Sequence, residues 1–301
     1  MEQKPKLVVI LGPTATGKTA LSILLAKKYN GEIISADSRQ VYMGLDLGSG
    51  KVTEKEMDGV PHHLLDVANP KKQFSVADYV KIAEQKIQEI LTKGKIPIVC
   101  GGTGLYIDTL LSGVALPEVP ANAKLRKQLE KKSAESLFKM LAKLDLARAK
   151  TIDSKNPVRL IRAIEIAKAL GKVPKIKKVE SKYQILKIGL DMPDEILKSR
   201  IAIRLDERLK AGMLDEAKRL HAKDITWHRM QELGLEYRAM ANFLTNKVSF
   251  ENFEKNLISD SWHYAKRQRT WFKRDKKIIW INPLKKSEIK KAEIELKKFL
   301  K

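Results

Sequence analysis

The segment that most constrains the fold is "LVVILGPTATGKT", residues 7–19, in which an apolar run leads into a glycine-bounded loop. The loop fits the phosphate-binding pattern G-x-x-x-x-G-K-[ST], which requires a preceding strand and a following helix. Its backbone N–H groups, the helix dipole, a lysine and a threonine that can ligate Mg²⁺ all favour anions. We therefore predict a site for a di- or triphosphate at Gly12, Pro13, Thr14, Ala15, Thr16, Gly17, Lys18 and Thr19. The motif alone does not identify the molecule that carries the phosphates.

Four further runs resemble buried strands, at residues 32–35, 96–100, 185–190 and 278–281. Most lack polar alternation, as is typical of parallel strands covered on both faces. Helix-length segments at 18–29 and 75–93 separate the first three strands along the chain. This order predicts an α/β fold: a P-loop NTPase-like parallel sheet flanked by helices.

A change in composition divides the chain. After the proline-containing stretch 113–122, the sequence becomes rich in Lys, Leu, Ala and Glu, and it ends in a basic Gly- and Pro-containing linker at 170–182. These Pro- and Gly-containing boundaries, with helix-favouring residues between them, predict a mostly helical inserted domain. We divide the chain into a core segment 1–117, an insertion 118–184 and a return to the core over 185–301, with helices at 195–221 and 250–275.

Charge and cysteine content narrow the functional classes. The chain has 59 Lys and Arg against 36 Asp and Glu, a net charge of +23. This excess suggests a polyanionic partner, although a solvated basic face is the alternative. The single cysteine, Cys100, cannot form an intrachain disulfide, and we expect no signal peptide, no membrane span and a cytoplasmic location.

Asp37 follows the second predicted strand, at the sheet edge where ligands bind in open α/β folds. It could hold a metal, accept a proton or merely cap a turn. The third strand instead runs into Cys100-Gly101-Gly102-Thr103, which supplies no carboxylate. Thr103 offers a hydroxyl, but such a glycine cluster alone more often forms a turn. We interpret Cys100, His62 and His63 as structural, since no zinc-type ligand spacing is present.

Several stretches together resemble one family, the tRNA dimethylallyltransferases, in the family's order and over nearly the whole chain. They are "GPTATGKT" (12–19), "ISADSRQVY" (34–42), "VPHHLLD" (60–66), "GGTGLY" (101–106), "NPVRLIRAIEI" (156–166) and "YAKRQRTWFKR" (264–274). The resemblance implies that the loop holds dimethylallyl diphosphate. It also implies transfer of the prenyl group to N6 of the adenosine 3′ of the tRNA anticodon.

The resemblance further implies roles for individual residues. Asp37 would accept the N6 proton, because an adenine amine needs a base to act as a nucleophile. The loop amides, Lys18, Thr14, Thr103, and Thr19 with Mg²⁺ would hold the departing diphosphate. Arg204 would contribute a further cation, with Arg200 as the alternative if the register slips. Either arginine could instead be an exposed helix residue.

The resemblance implies a monomer that binds the tRNA anticodon stem-loop. Residues 261–277 carry seven Lys or Arg and interleaved aromatics, which we expect to pack on the core. Val158, residues 48–52 and residues 232–238 depart from the family pattern. The implied tRNA contacts are Asp37, Ser38, Arg39, Gln40, Thr103, Arg126, Arg159, Arg162, Lys266, Arg267, Gln268, Arg269 and Lys273.

Three other functions remain open at this point. An adenylate isopentenyltransferase would share the chemistry but act on free AMP, ADP or ATP, and would have little use for a distant basic surface. A small-molecule kinase would place ATP in the loop. A non-catalytic GTPase-like RNA-binding module is disfavoured because the chain has no Asn-Lys-x-Asp stretch.

Overall fold

One parallel sheet organises most of the chain in a computed structural model, which describes residues 4–113, 117–175 and 180–301. The strands within these ranges are β1 (Lys6–Leu11), β2 (Gly31–Ser35), β3 (His62–His63), β4 (Ile96–Gly101), β5 (Gln184–Leu190) and β6 (Ile279–Ile281). Their order across the sheet is β3-β2-β4-β1-β5-β6, and all neighbouring pairs are parallel. The predicted α/β fold class is confirmed.

The central strand β1 shows why its sequence has no polar alternation. Leu7 and Val9 pack into a hydrophobic cluster on one face of the sheet. Val8 and Ile10 pack into a separate cluster on the other face, and all four side chains are fully buried. A strand covered on both faces must be apolar at every position.

Helices cover both faces of this sheet and form the inserted segment. In chain order they are α1 (Lys18–Lys28), α2 (Glu54–Met57), α3 (Val76–Thr92), α4 (Gly104–Ser112), α5 (Ala123–Leu129), α6 (Ala134–Leu144), α7 (Leu146–Ala149), α8 (Pro157–Leu170), α9 (Asp194–Lys210), α10 (Met213–Ala222), α11 (Trp227–Glu232), α12 (Leu235–Leu244), α13 (Phe250–Phe272) and α14 (Lys286–Leu300). No helix of the described segments is long and apolar enough to cross a membrane.

The prediction of one continuous helix over 195–221 is wrong. The chain breaks between α9 and α10 at Gly212, whose φ of 94° lies in the left-handed region. A glycine adopts this conformation at little steric cost, so it ends one helix and starts the next in a new direction. The very short β3 and the helices α11, α12 and α14 were not anticipated from sequence.

The described residues divide into two compact units: 4–113 with 180–301, and 117–175. The smaller unit contains α5 to α8 around its own core, in which Leu137, Leu141, Leu160 and Ile164 are fully buried. Residue 117 belongs to this unit and residues 180–184 to the larger one, so the observed division differs by a few residues from the predicted boundaries. Residues 114–116, inside the predicted segment 1–117, and 176–179, inside the predicted linker and insertion, lie outside the described residues.

Candidate active site

The phosphate loop requires glycine at two positions, because of lack of space and backbone conformation at Gly12 and backbone conformation alone at Gly17. Gly12 has φ 141°, and a Cβ there would lie 2.4 Å from the carbonyl oxygen of Leu190 in β5. Gly17 has φ 88° and directly precedes α1. The left-handed conformation at these positions favours glycine, and it turns the loop so that it leads into the first turn of α1.

A cavity of about 390 Å³ opens beside this loop. Its walls come from the phosphate loop, the segments after β2 and β4, and helices α9, α12 and α13. It brings together many residues that the sequence analysis singled out, although they are far apart in the chain. These are Thr14, Ala15, Lys18, Asp37, Ser38, Arg39, Arg204, Arg267 and Gln268.

Two cations in the cavity lie in a desolvating environment. Lys18 donates from Nζ to the carbonyl oxygen of Pro13 at 2.7 Å. Burial, together with the nearby Arg204, lowers the pKa of Lys18 to about 8. Burial and the adjacent Arg208 lower the pKa of Arg204 to about 10, and Arg204 has no hydrogen-bond or ion-pair partner among the described residues. Partly desolvated cations that make no direct ion pair favour binding of an anion.

The two arginines considered for the diphosphate occupy different places. Arg204 lines the cavity, whereas Arg200 is absent from its lining. Arg200 instead approaches the phosphate loop from the side, with Nη1 3.5 Å from the carbonyl oxygen of Ala15. This geometry favours Arg204 as the cation that faces a bound ligand, and its role stays a prediction.

Asp37 both caps a turn and faces the cavity. Its Oδ1 accepts hydrogen bonds from the backbone N–H groups of Arg39 at 2.8 Å and Gln40 at 3.4 Å. Oδ2 has no hydrogen-bond partner within the described part of the chain. Thr103 fixes the same turn, because its Oγ1 accepts from the N–H of Ser38 at 3.0 Å. The capping interaction therefore orients Asp37 and leaves one carboxylate oxygen open to the cavity.

Arg208, Glu236 and Tyr264 are among the cavity-lining side chains that sequence reasoning missed. Arg208 lies one turn after Arg204 on α9, and its Nη1 is 3.9 Å from Oε1 of Glu236. Burial raises the pKa of Glu236, while the neighbouring Arg208 opposes this rise. Burial also raises the pKa of Tyr264, whose hydroxyl interacts with Thr103. The i, i+4 spacing of the two arginines was the available sequence signal.

Tyr264 thus lines the cavity, contrary to the expectation that the aromatic side chains of 261–277 pack on the core. The other three follow that expectation. Phe272 is buried, and Trp262 and Trp271 pack against hydrophobic clusters. The Trp271 indole also donates to Oδ2 of Asp108 at 2.8 Å.

Other predicted site residues lie outside the cavity lining. Thr19 is exposed at the start of α1, and the Gln40 side chain donates to the carbonyl oxygen of Gly50 at 3.1 Å. Arg269 is ion-paired with Asp191 and Asp194, which satisfies its charge inside the protein. Lys266 on α13 and Lys273, directly after its end, are exposed to solvent, and Nζ of Lys273 lies 3.8 Å from Oδ2 of Asp191.

In the smaller unit, a buried carboxylate holds two of the predicted tRNA contacts. Glu165 is 2% exposed and receives hydrogen bonds from Arg126 at 2.9 Å and Arg162 at 2.7 Å. Although burial opposes its ionisation, these bonds lower the pKa of Glu165 to about 2. Arg159 and Val158 are exposed on α8, Val158 at 77%.

The histidine and cysteine positions fit the structural interpretation. His63 Nε2 lies 2.7 Å from Oε2 of the buried Glu32, and His62 Nδ1 lies 2.8 Å from the carbonyl oxygen of Val60. Cys100 is buried at the end of β4, and burial raises the pKa of its thiol. The described residues contain no group of three or more His, Cys, Asp or Glu side chains that could hold a metal.

The chain is similar to known proteins over most of its length. A family model described as "IPP transferase" matches residues 40–275. A Bacillus velezensis protein named tRNA dimethylallyltransferase is 43% identical, over 97% of this chain and 96% of its own. The Bacillus subtilis protein of that name is 40% identical, with the same coverage.

Solved structures give the same result. The full-length tRNA isopentenylpyrophosphate transferase from Bacillus halodurans superposes with a TM-score of 0.75 at 38% identity, covering 99% of this chain and 97% of its own. A eukaryotic dimethylallyltransferase acting on tRNA superposes with a TM-score of 0.79 at 26% identity, covering 96% of this chain and 78% of its own. The chain that carries this phosphate loop, Asp37 and the basic helix α13 therefore belongs to the tRNA dimethylallyltransferase family.

Proposed function

We propose that this protein transfers the dimethylallyl group of dimethylallyl diphosphate to N6 of the adenosine 3′ of the anticodon in tRNA. The observation that carries this proposal is that one cavity contains both cations and an open carboxylate oxygen. Lys18 and Arg204 offer positive charge for a diphosphate, and Asp37 offers an open carboxylate oxygen. The names of the relatives support the same substrates.

In the proposed reaction, the bond between N6 and the allylic carbon forms while the bond from that carbon to the diphosphate oxygen breaks. The N6 proton passes to Asp37, whose turn hydrogen bonds hold it in place. Lys18, Arg204 and the loop amides stabilise the negative charge that grows on the leaving diphosphate. Holding donor and acceptor in one cavity also removes the entropic cost of their encounter.

We propose Mg²⁺ as the cofactor, with Thr19 as its protein ligand. The Thr19 hydroxyl lies next to Lys18 in the first turn of α1 and has no hydrogen-bond partner in the described segments. The absence of a carboxylate cluster among those residues suits Mg²⁺ held mainly by phosphate oxygens and water. The ion would supply charge neutralisation to the leaving group.

The tRNA is proposed to bind through exposed cations, chiefly Arg159 and Lys266, which make no ion pair among the described residues, and Lys273, whose Nζ lies 3.8 Å from Oδ2 of Asp191. Such side chains contact phosphates and release counterions. An adenosine in an anticodon loop can be extruded into a cavity at lower cost than a base in a duplex. We propose that the protein acts as a monomer.

The direct test incubates the purified protein with unmodified tRNA, Mg²⁺ and radiolabelled dimethylallyl diphosphate, without ATP. We expect label in the RNA at the adenosine 3′ of the anticodon, and none in a tRNA that carries guanosine there. Lys18→Ala is the matched inactive variant, because it removes the cation that faces the diphosphate.

Free AMP, ADP and ATP are tested in parallel at the same concentration as tRNA. Equal prenylation of a free adenylate would replace tRNA with a mononucleotide substrate. Turnover of ATP with no label in RNA would exclude prenyl transfer and favour a kinase.

A further inference from the structure

Gln268 is buried between two loops that lie far from it in sequence. Its side chain is 6% exposed, although it belongs to the basic helix α13. Oε1 accepts the backbone N–H of Thr14 at 2.9 Å, and Nε2 donates to the carbonyl oxygen of Gly102 at 2.8 Å. Each end of the amide therefore makes a hydrogen bond inside the protein, one to the phosphate loop and one to the segment after β4.

The fit around this amide is tight. A Cβ on Gly102 would lie 2.2 Å from Nε2 of Gln268, so the glycine leaves room for the side chain. Arg269, the next residue, is anchored separately by Asp191 and Asp194. The helix that carries Gln268 is thus fixed on both sides of the phosphate loop, and the amide cannot move without breaking buried hydrogen bonds.

We propose that Gln268 is a positioning residue for the diphosphate rather than a tRNA contact. By holding the Thr14 N–H and the Gly102 carbonyl, it sets the spacing between the phosphate loop and the segment that carries Thr103. The Thr14 amide is then directed toward Gln268, and the amides after it are left to surround the phosphates. The inference rests on the proposed function.

The test compares Gln268→Met, which keeps the length of the side chain but removes both hydrogen bonds, with the wild type. We expect the dissociation constant for inorganic pyrophosphate and the KM for dimethylallyl diphosphate to rise about tenfold. The Kd for tRNA should stay within about twofold, because the amide faces the loops. Gln88→Met, on the exposed side of α3, is the matched control and should change none of these values.

Gly102→Ala tests the same contact from the other side, since the added methyl displaces Nε2 of Gln268. It should weaken pyrophosphate binding in the same direction, and thermal denaturation of each variant confirms that binding is measured on folded protein. Unchanged pyrophosphate affinity in folded Gln268→Met, or a loss confined to tRNA affinity, would overturn the proposal. Pyrophosphate binding needs no turnover, so it tests Gln268 even if prenyl transfer by the wild type is not observed.

Discussion

Partly buried arginines occur in two regions of the molecule under opposite electrostatic conditions. In the smaller unit, Arg126 and Arg162 share the buried carboxylate of Glu165. In the cavity of the larger unit, Arg204 lies beside Arg208 and Lys18 and has no ion-pair partner among the described residues. The first arrangement satisfies its own charge and stabilises the fold, whereas the second leaves positive charge for a ligand.

The largest effect should come from Asp37→Asn, which removes the carboxylate of the cavity and leaves its cations in place. Asparagine keeps an oxygen that can accept from the N–H of Arg39, so the turn is preserved, but it cannot take up a proton. We expect kcat to fall about 1000-fold, with unchanged Kd for tRNA. Single-turnover kinetics check this, and full turnover would leave Asp37 with a capping role alone.

Glu165→Gln should remove the charge that Arg126 and Arg162 share in the smaller unit. Two arginines would lose their shared anion, and we expect the free energy of unfolding to fall by about 3 kcal/mol. Because the folded pKa of Glu165 is lowered to about 2, its contribution is present above the unfolded pKa and is lost as the pH falls toward 2. Urea denaturation at pH 7 and pH 3 measures this, with the exposed Glu130→Gln as control.

If Glu165→Gln and Glu130→Gln lose equal stability, or if the loss from Glu165→Gln is as large at pH 3 as at pH 7, the carboxylate does not neutralise the arginines. The ion pairs of Glu165 would then contribute no more to stability than exposed ion pairs do.

Arg204→Gln should reduce activity without reducing stability, which is the reverse of the effect expected for Glu165→Gln. We expect kcat/KM for dimethylallyl diphosphate to fall about 100-fold, because the cation that stabilises the leaving group is lost. Thermal stability should stay constant or rise, since an unpaired and partly desolvated charge has been removed. Arg219→Gln, exposed on α10, is the control. A loss of stability equal to that of Glu165→Gln would end the distinction between the two regions.

The pH dependence of the reaction should show whether the positive charge of Lys18 in the cavity is needed. Burial lowers the pKa of Lys18 to about 8, so its positive charge is present below that pH and is lost above it. We expect log kcat/KM for dimethylallyl diphosphate to fall above pH 8 with a slope of about −1, which is tenfold per unit. Lys18→Arg should move this decline to higher pH, and an unmoved decline would assign it to another group.

The smallest effect should come from a third class of cation, which is neither paired nor desolvated. Lys266→Ala on α13 should weaken tRNA binding a few-fold and reduce the slope of log Kd against log salt by about one. Lys255→Ala, exposed on the same helix, serves as the control. Filter binding at several salt concentrations measures both, and identical slopes for the two variants would show that Lys266 does not contact phosphate.

The sequence predicted those parts of the fold that follow from local pattern. β1, β2, β4 and β6 were recognisable because buried strands need continuous apolar residues, and β5 gave a weaker signal of the same kind. β3 was missed because two histidines form it, and two residues carry no periodicity. Gly212 was included in a helix by the sequence analysis, although a glycine is a common signal for a helix end.

The candidate site shows the same limit. The phosphate loop and Asp37 follow strands directly, so their position at the sheet edge could be derived. Gln268 lies among lysines and arginines, and its neighbours suggest an RNA contact. Only the packing of α13 shows that its amide meets Thr14 and Gly102. Glu236 and Tyr264 reach the cavity by similar long-range packing, which no spacing in the sequence encodes.

The seating of Gly12 against Leu190 has a consequence for how the chain is made. The phosphate loop precedes the insertion in the chain, whereas the strand that supports Gly12 follows the whole insertion, and the glutamine that holds Thr14 follows later still. The loop therefore cannot reach its final shape on a partly synthesised chain. Folding must bring this loop together with segments that are translated after the insertion, which are contacts of long sequence separation.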